Sequence, residues 1–245
     1  MYSFVLYVPM WFKLFQTKTL LNFCNDKSKF RNPKSKIVTV PIFFQQQIND
    51  NTRLGIWKIE ETEDFFKSNV PQHRSVTHPH KRLQHLAGRF LLQYLFPAFP
   101  YELIQIADTR KPYLPDEQYH FSISHCGDYA AAIVSKDSRV GIDIEIPAEK
   151  ISRIMYKFLS AKEHELFHLI EPNNNRIPFA TLLWSAKESV FKWYGNGGVD
   201  FRREIQLQKI HEGNETVECL FSKDNSALKI HYREFGHLVL AWVVS

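Results

Sequence analysis

Apolar and polar positions along the chain fall into short periodic segments separated by turn formers. Residues 37–44 (IVTVPIFF) and 53–59 (RLGIWKI) are strand-like runs. Residues 60–68 (EETEDFFKS) put acids where the helix dipole favours them and predict the start of a helix. Over 81–96, Leu83, Leu86, Ala87, Phe90, Leu91, Tyr94 and Leu95 recur at steps of three and four, which predicts an amphipathic helix closed by Pro97 and Pro100. Its basic residues Lys81, Arg82 and Arg89 are either solvated or turned to an anion. Residues 119–135 read as two strands about a turn at Cys126-Gly127-Asp128, and 139–146 (RVGIDIEI) as another strand. Ser160 followed by Glu163 is a capping-box pattern opening a helix over 160–170. Leu183, Trp184, Val190, Phe191 and Tyr194 form the apolar stripe of a helix over 179–194, ended by Gly195, Gly197 and Gly198. Residues 229–245 repeat the form of 119–135, with a turn at Phe235-Gly236. The chain therefore reads as two halves of related architecture, with chance likeness between two hairpins as the competing account.

Composition changes this picture little. With 245 residues, 44% hydrophobic and 23% charged, the chain can build one large domain or two small ones, and neither disorder nor a fibrous repeat is indicated. A net charge of +5 fits an anionic or acidic partner, leaving nucleic acid, a phosphorylated cofactor and an acidic protein open at this point. Cys24, Cys126 and Cys219 are scattered in no metal or disulfide spacing, which argues for a reducing cytoplasm and for cysteines that simply pack. Residues 1–23 are apolar and aromatic, but they lack a basic leader and are broken by Lys13 and Lys18, so no membrane helix is expected. Residues 25–36 are polar and basic like a linker. Residues 1–36 are expected to lie outside the working domain, with halves at 37–138 and 139–245.

Three constellations carry chemistry. Alternation along 139–146 places Asp143 and Glu145 on one side of the strand and Ile142, Ile144 and Ile146 on the other. On the last helix Glu188 and Lys192 are one turn apart and share a face. Ser122-Ile123-Ser124-His125 ends a strand before a glycine turn, downstream of Lys111-Pro112. Two strand carboxylates and a helical one offer the oxygen donors that Mg²⁺ takes together with water and phosphate. Lys192 is placed to hold the same phosphate, and His125 and Lys111 to hold others. Taken singly, each pair also suits the solvent face of a sheet or a solvated helix pair contributing roughly 0.2–0.5 kcal/mol.

Together the motifs are more specific. Lys111-Pro112-Tyr113-Leu114-Pro115, Phe121-Ser122-Ile123-Ser124-His125, Gly141-Ile142-Asp143 and Trp184-Ser185-Ala186-Lys187-Glu188-Ser189-Val190-Phe191-Lys192 occur in that order, Glu188 following Asp143 by 45 positions. From about Val40 onward the chain resembles the 4′-phosphopantetheinyl transferase superfamily, in its larger, surfactin-synthetase-activating type. The resemblance implies an α+β fold of two pseudo-symmetric halves, each a small antiparallel sheet packed with helices, with coenzyme A in the cleft between them. It implies a cytoplasmic, monomeric enzyme that moves phosphopantetheine from coenzyme A to a serine of an apo-acyl or peptidyl carrier protein and releases 3′,5′-ADP. Carried over by position, Asp143, Glu145 and Glu188 are the Mg²⁺ carboxylates, with Glu188 also the base and Lys192 the lysine on the pyrophosphate. Lys111 and Pro112 lie along the adenine, Ser124 and His125 near the 3′-phosphate, and Lys187 helps with phosphates. Arg110 stands where many relatives have glycine and adds a phosphate contact or faces water; Arg74 is the candidate for the basic group ahead of the amphipathic helix, with Arg82 next and an ordinary exposed arginine as the competing reading. The rival readings are a coenzyme A or nucleotide-binding protein without transfer and an unrelated Mg²⁺-dependent phosphohydrolase. No interleaved basic and aromatic run favours nucleic acid.

Overall fold

The computed structural model describes residues 42–70, 74–168 and 176–245. The expected extension at 1–36, the first positions of the strand expected from 37 and the end of the helix expected over 160–170 lie outside the described residues. Strand β1 (Ile42–Gln47) pairs with β2 (Thr52–Lys58). Thr62 caps α1 (Glu63–Asn69), whose first turn holds Glu63 and Asp64. Helix α2 (Pro79–Leu95) starts on a proline, whose missing N–H has no partner to lose there. A short hairpin of β3 (Gln105–Ile106) and β4 (Pro112–Tyr113) leads to the hairpin of β5 (His120–Cys126) and β6 (Tyr129–Ser135). After β7 (Val140–Glu145) come α3 (Glu149–Arg153), α4 (Met155–Phe158), α5 (Ala161–His168) and α6 (Arg176–Tyr194). The chain closes on β8 (Ile205–His211), β9 (Thr216–Phe221), β10 (Ser226–Glu234) and β11 (Val239–Val244).

The fold is mixed α and β with antiparallel sheets, in keeping with the sequence reading. One sheet runs β1-β2-β6-β5 and the other β7-β11-β10-β9-β8. Strands β8 and β9 escaped the sequence reading because polar and charged residues interrupt them, and their pairing shifts register between Leu207 and Lys209. The sheets share an apolar interior built from Leu54, Ile56, Ala131 and Ile133 of the first and Ile142, Ile144, Leu240 and Trp242 of the second. On the far side of the first sheet α2 packs Phe90 and Tyr94 edge-on against Trp57. On the far side of the second lies the larger core under α6, with Leu183, Ala186, Val190 and Trp193 against Ile205, Val217, Ile230 and Val243.

Strand β7 is thus covered on both faces. Ile142 and Ile144 face the other sheet, while Asp143 and Glu145 face α6, as alternation requires. Helix and strand meet most closely at Gly141, where an added Cβ would lie 2.0 Å from Ser189 O and 2.6 Å from Trp193 N. That contact is with backbone, so neither element can yield without moving. Gly141→Ala is therefore expected to destabilise the protein by about 3 kcal/mol or to prevent folding, read as a lower urea midpoint.

Candidate functional site

Strands β5 and β7 are edge strands of different sheets, and alternate side chains of β5 stitch them together. Ser122 Oγ accepts from Ile142 N at 3.2 Å, Ser124 Oγ donates to Asp143 Oδ1 at 2.9 Å, and Cys126 Sγ donates to Glu145 Oε2 at 3.3 Å while accepting from Ile146 N. The period-two pattern S-x-S-x-C is what puts these three groups in one row. Cys126, read from sequence as packing alone, is therefore also a partner of a candidate ligand.

Helix α6 closes the site from the other side. Asp143 is 3% exposed and accepts from Ser185 Oγ on Oδ2 at 2.8 Å and from Lys192 Nζ on Oδ1 at 2.6 Å. Lys192 Nζ also donates to Ser124 Oγ at 2.8 Å, so ammonium, hydroxyl and carboxylate form a closed triangle. Glu145 Oε1 accepts from Trp184 Nε1 at 3.3 Å. Its carboxyl is pushed up first by burial and then by Asp143. Glu188 is half-buried, and its carboxyl is raised to about 7 by burial and then by Asp143, with Lys192 pulling the other way and Glu145 adding to the rise. Among the described residues no three His, Cys, Asp or Glu side chains are drawn together into a finished metal cage.

The remaining sequence candidates are placed unequally. His125 is exposed at the end of β5, close enough to Lys192, Asp143 and Arg74 to feel their charges. Arg74 is exposed on the wall of a cavity of about 430 Å³ that it shares with Lys67 and Arg82. Arg82 is engaged there with Glu63 and with the Val76 and Thr77 carbonyls. Arg110 is exposed with a left-handed backbone (φ 67°) at the β3–β4 turn, and half-buried Pro112 pairs with Ile106. Lys111 sends its ammonium to the carbonyl of Lys192 at 2.6 Å rather than into open space; burial pulls it down to about 8, and Arg139 adds to that.

Lys187 requires a correction. It was expected to help with phosphates, but it is fully buried, its Nζ bound to the carbonyls of Phe201 and Ile205 and paired with Glu163 at 2.7 Å. The other Glu163 oxygen accepts from Ser160 N and Oγ, and Glu163 N donates back to Ser160, which realises the capping box read from the sequence. Five positions on a helix separate Lys187 from Lys192 by about 140°, so the two cannot serve one ligand. Sequence reading also missed Ser185, the residue that fixes the second oxygen of Asp143. The signal was its place one turn before Ser189 and Glu188 on the face that meets β7.

Fold and site define a mixed α/β protein in which a buried carboxylate, two serines and a lysine meet beside two further acids. The model of the 4′-phosphopantetheinyl transferase superfamily matches residues 139–243. Enterobactin synthase component D of Salmonella austin is 30% identical over 164 residues, covering 60% of this chain and 68% of that relative. The protein of the same name from Escherichia coli K12 is 36% identical over 115 residues, 46% of this chain and 54% of the relative. The 4′-phosphopantetheinyl transferase AcpT of Escherichia coli K12 is 28% identical over 117 residues, 47% and 59%. The chain belongs to the 4′-phosphopantetheinyl transferase superfamily and is an enzyme of that transferase class. It spans between about half and two thirds of these relatives' lengths. Among the described residues no helix is long and apolar enough to cross a membrane.

Two expectations separate the site from its support. Lys187→Met leaves Glu163 and two carbonyls without their cation and should cost about 3 kcal/mol, seen as a lower thermal midpoint. Glu188 behaves oppositely. Its carboxyl is neutral more readily folded than unfolded, so it favours the folded state below pH 4.5, and that advantage is lost as pH rises towards 7. In EDTA, Glu188→Gln should match the wild type near pH 4.5 and exceed its stability by about 2 kcal/mol above pH 7, after allowing for partial exposure. Urea melts across that range check the sign.

Proposed function

We propose that the protein transfers 4′-phosphopantetheine from coenzyme A to a serine of an apo-acyl or peptidyl carrier protein, with Mg²⁺ bound at Asp143, Glu145 and Glu188. The observation that carries this reading is the meeting of Ser124, Asp143, Ser185 and Lys192, which stand far apart in the chain, around one buried carboxylate. The donor set suits the ion: all three groups are hard oxygen donors, and burial and mutual repulsion hold Glu145 and Glu188 against ionisation, a penalty that a divalent cation relieves. Asp143 and Glu145 are already aimed by their serine, indole and thiol partners, leaving other positions to water and phosphate. When bound, the ion supplies neutralisation of the charge on the coenzyme A pyrophosphate.

The residues of the chain do the rest. Glu188 accepts the proton of the carrier serine directly or through a water. The serine oxygen bonds to the β-phosphorus as the bond from that phosphorus to the departing 3′,5′-ADP oxygen breaks. Lys192, one turn along α6, faces the phosphates and balances the charge on the leaving group. His125 and Arg74 are assigned to further phosphate oxygens of the coenzyme, supported by the exposure of both and by the charge of Arg74 reaching His125. Residues 37–138 and 139–245 are read as the two related halves, which agrees with the passage from one sheet to the other between β6 and β7. A basic protein also suits an acidic carrier.

Intact-mass analysis of an apo-carrier protein incubated with the enzyme, coenzyme A and Mg²⁺ tests this. The carrier is expected to gain the mass of one phosphopantetheinyl group. EDTA or Glu188→Gln should abolish the gain, and Lys192→Met should slow it by about a hundredfold or more. Coenzyme A binding with no gain on any carrier type would instead favour a binding protein without transfer.

A further inference from the structure

The last carbonyls of a helix have no partner within it, and at the end of α6 two of them, together with that of Gly195 just beyond, are taken by the β3–β4 turn. Lys111 Nζ donates to Lys192 O at 2.6 Å and lies 3.5 Å from Trp193 O, and Thr109 Oγ1 donates to Gly195 O at 3.0 Å. The turn lies this close because glycine stands beneath it. A Cβ on Gly195, whose φ is +77°, would come within 2.5 Å of Lys111 Nζ, and one on Gly197 within 3.1 Å of Thr109 Cγ2. An ammonium at a helix C-terminus also sits at the negative end of the macrodipole.

Lys192 is thereby held at both ends: its backbone carbonyl by Lys111 and its own ammonium by Asp143 and Ser124. We propose that Lys111 is a positioning residue, one that fixes the last turn of α6 so that Lys192 is aimed at the reacting phosphate, and that its side chain does not itself contact the coenzyme. This rests on the reading of Lys192 as the phosphate lysine. Misaiming such a group by a fraction of an ångström slows the chemical step without weakening ground-state binding of the coenzyme.

The test compares wild type, Lys111→Met, Thr109→Val, Lys192→Met and the double variant Lys111→Met/Lys192→Met, measuring carrier transfer rates and coenzyme A affinity by calorimetry. Lys111→Met should lower kcat about tenfold with Kd for coenzyme A within about twofold, and Thr109→Val should lower kcat about threefold. Once Lys192 is gone, removing Lys111 should cost less than about twofold more, because the two act as one unit. A multiplicative loss in the double variant, or a tenfold weaker Kd at unchanged kcat, overturns the proposal. If Lys111→Met does not fold, Thr109→Val decides, and an unchanged kcat overturns it. A wild type that binds coenzyme A yet transfers nothing overturns the transferase reading and this proposal together; an active wild type with additive losses overturns this proposal alone.

Discussion

A carboxylate taken out of water has to be satisfied inside the fold, and Asp143 takes its partners from two elements remote from it in sequence. Ser124 comes from the edge of the first sheet, and Ser185 and Lys192 come from α6. Each donor constrains the element that carries it, so this one side chain fixes the relation of β5, β7 and α6. Gly141 permits it, since α6 reaches hydrogen-bonding distance only because no Cβ stands between helix and strand. Removing one partner from such a network costs more than the pair is worth in isolation, because the remaining groups stay buried.

The two lysines of the α6 motif show how position on a helix divides labour. Lys187 faces the large core and joins α6 to α5 and to the segment leading into β8 through Glu163 and two carbonyls. Lys192 faces β5 and β7. A buried pair such as Lys187–Glu163 adds little net stability over an apolar replacement, but it ties the chain at defined points. The support under α6 is therefore built on one face and the candidate chemistry on another, and Glu188 lies between them in sequence but on the side of Lys192.

Much of this was legible in the sequence wherever a period governs it. Alternation in 139–146 predicted which side chains of β7 face the site, the three- and four-residue steps of 81–96 predicted α2, and the spacing of Glu188 and Lys192 predicted their shared face. The capping box at Ser160 and Glu163 was visible, but not that Glu163 would also hold Lys187. What periodicity does not encode is contact between distant segments. Nothing in Lys111-Pro112 announces that its ammonium caps a helix 81 positions away. The thiol of Cys126 likewise looks like packing until β7 is laid beside it. Strands β8 and β9 were hidden for a local reason, since the alternation is broken by a bulge and by charges on the open face.

Charge balance connects the site to its proposed chemistry. Among the described residues the Lys192 ammonium rests on Asp143, while the Glu145 and Glu188 carboxyls are raised first by burial and then by the charge of Asp143, which Lys192 only partly offsets. A pyrophosphate brought to the same place adds further negative charge. With His125 and Arg74 assigned to phosphate oxygens further along the coenzyme, the excess at the acids themselves falls if Glu188 stays protonated, but that removes it as an acceptor for the serine proton. A divalent cation resolves both demands at once, lowering the cost of ionising Glu188 and matching the phosphates. The proposed reading includes Mg²⁺ because buried carboxylates and a pyrophosphate brought to the same place repel one another, and a divalent cation between them offsets that repulsion.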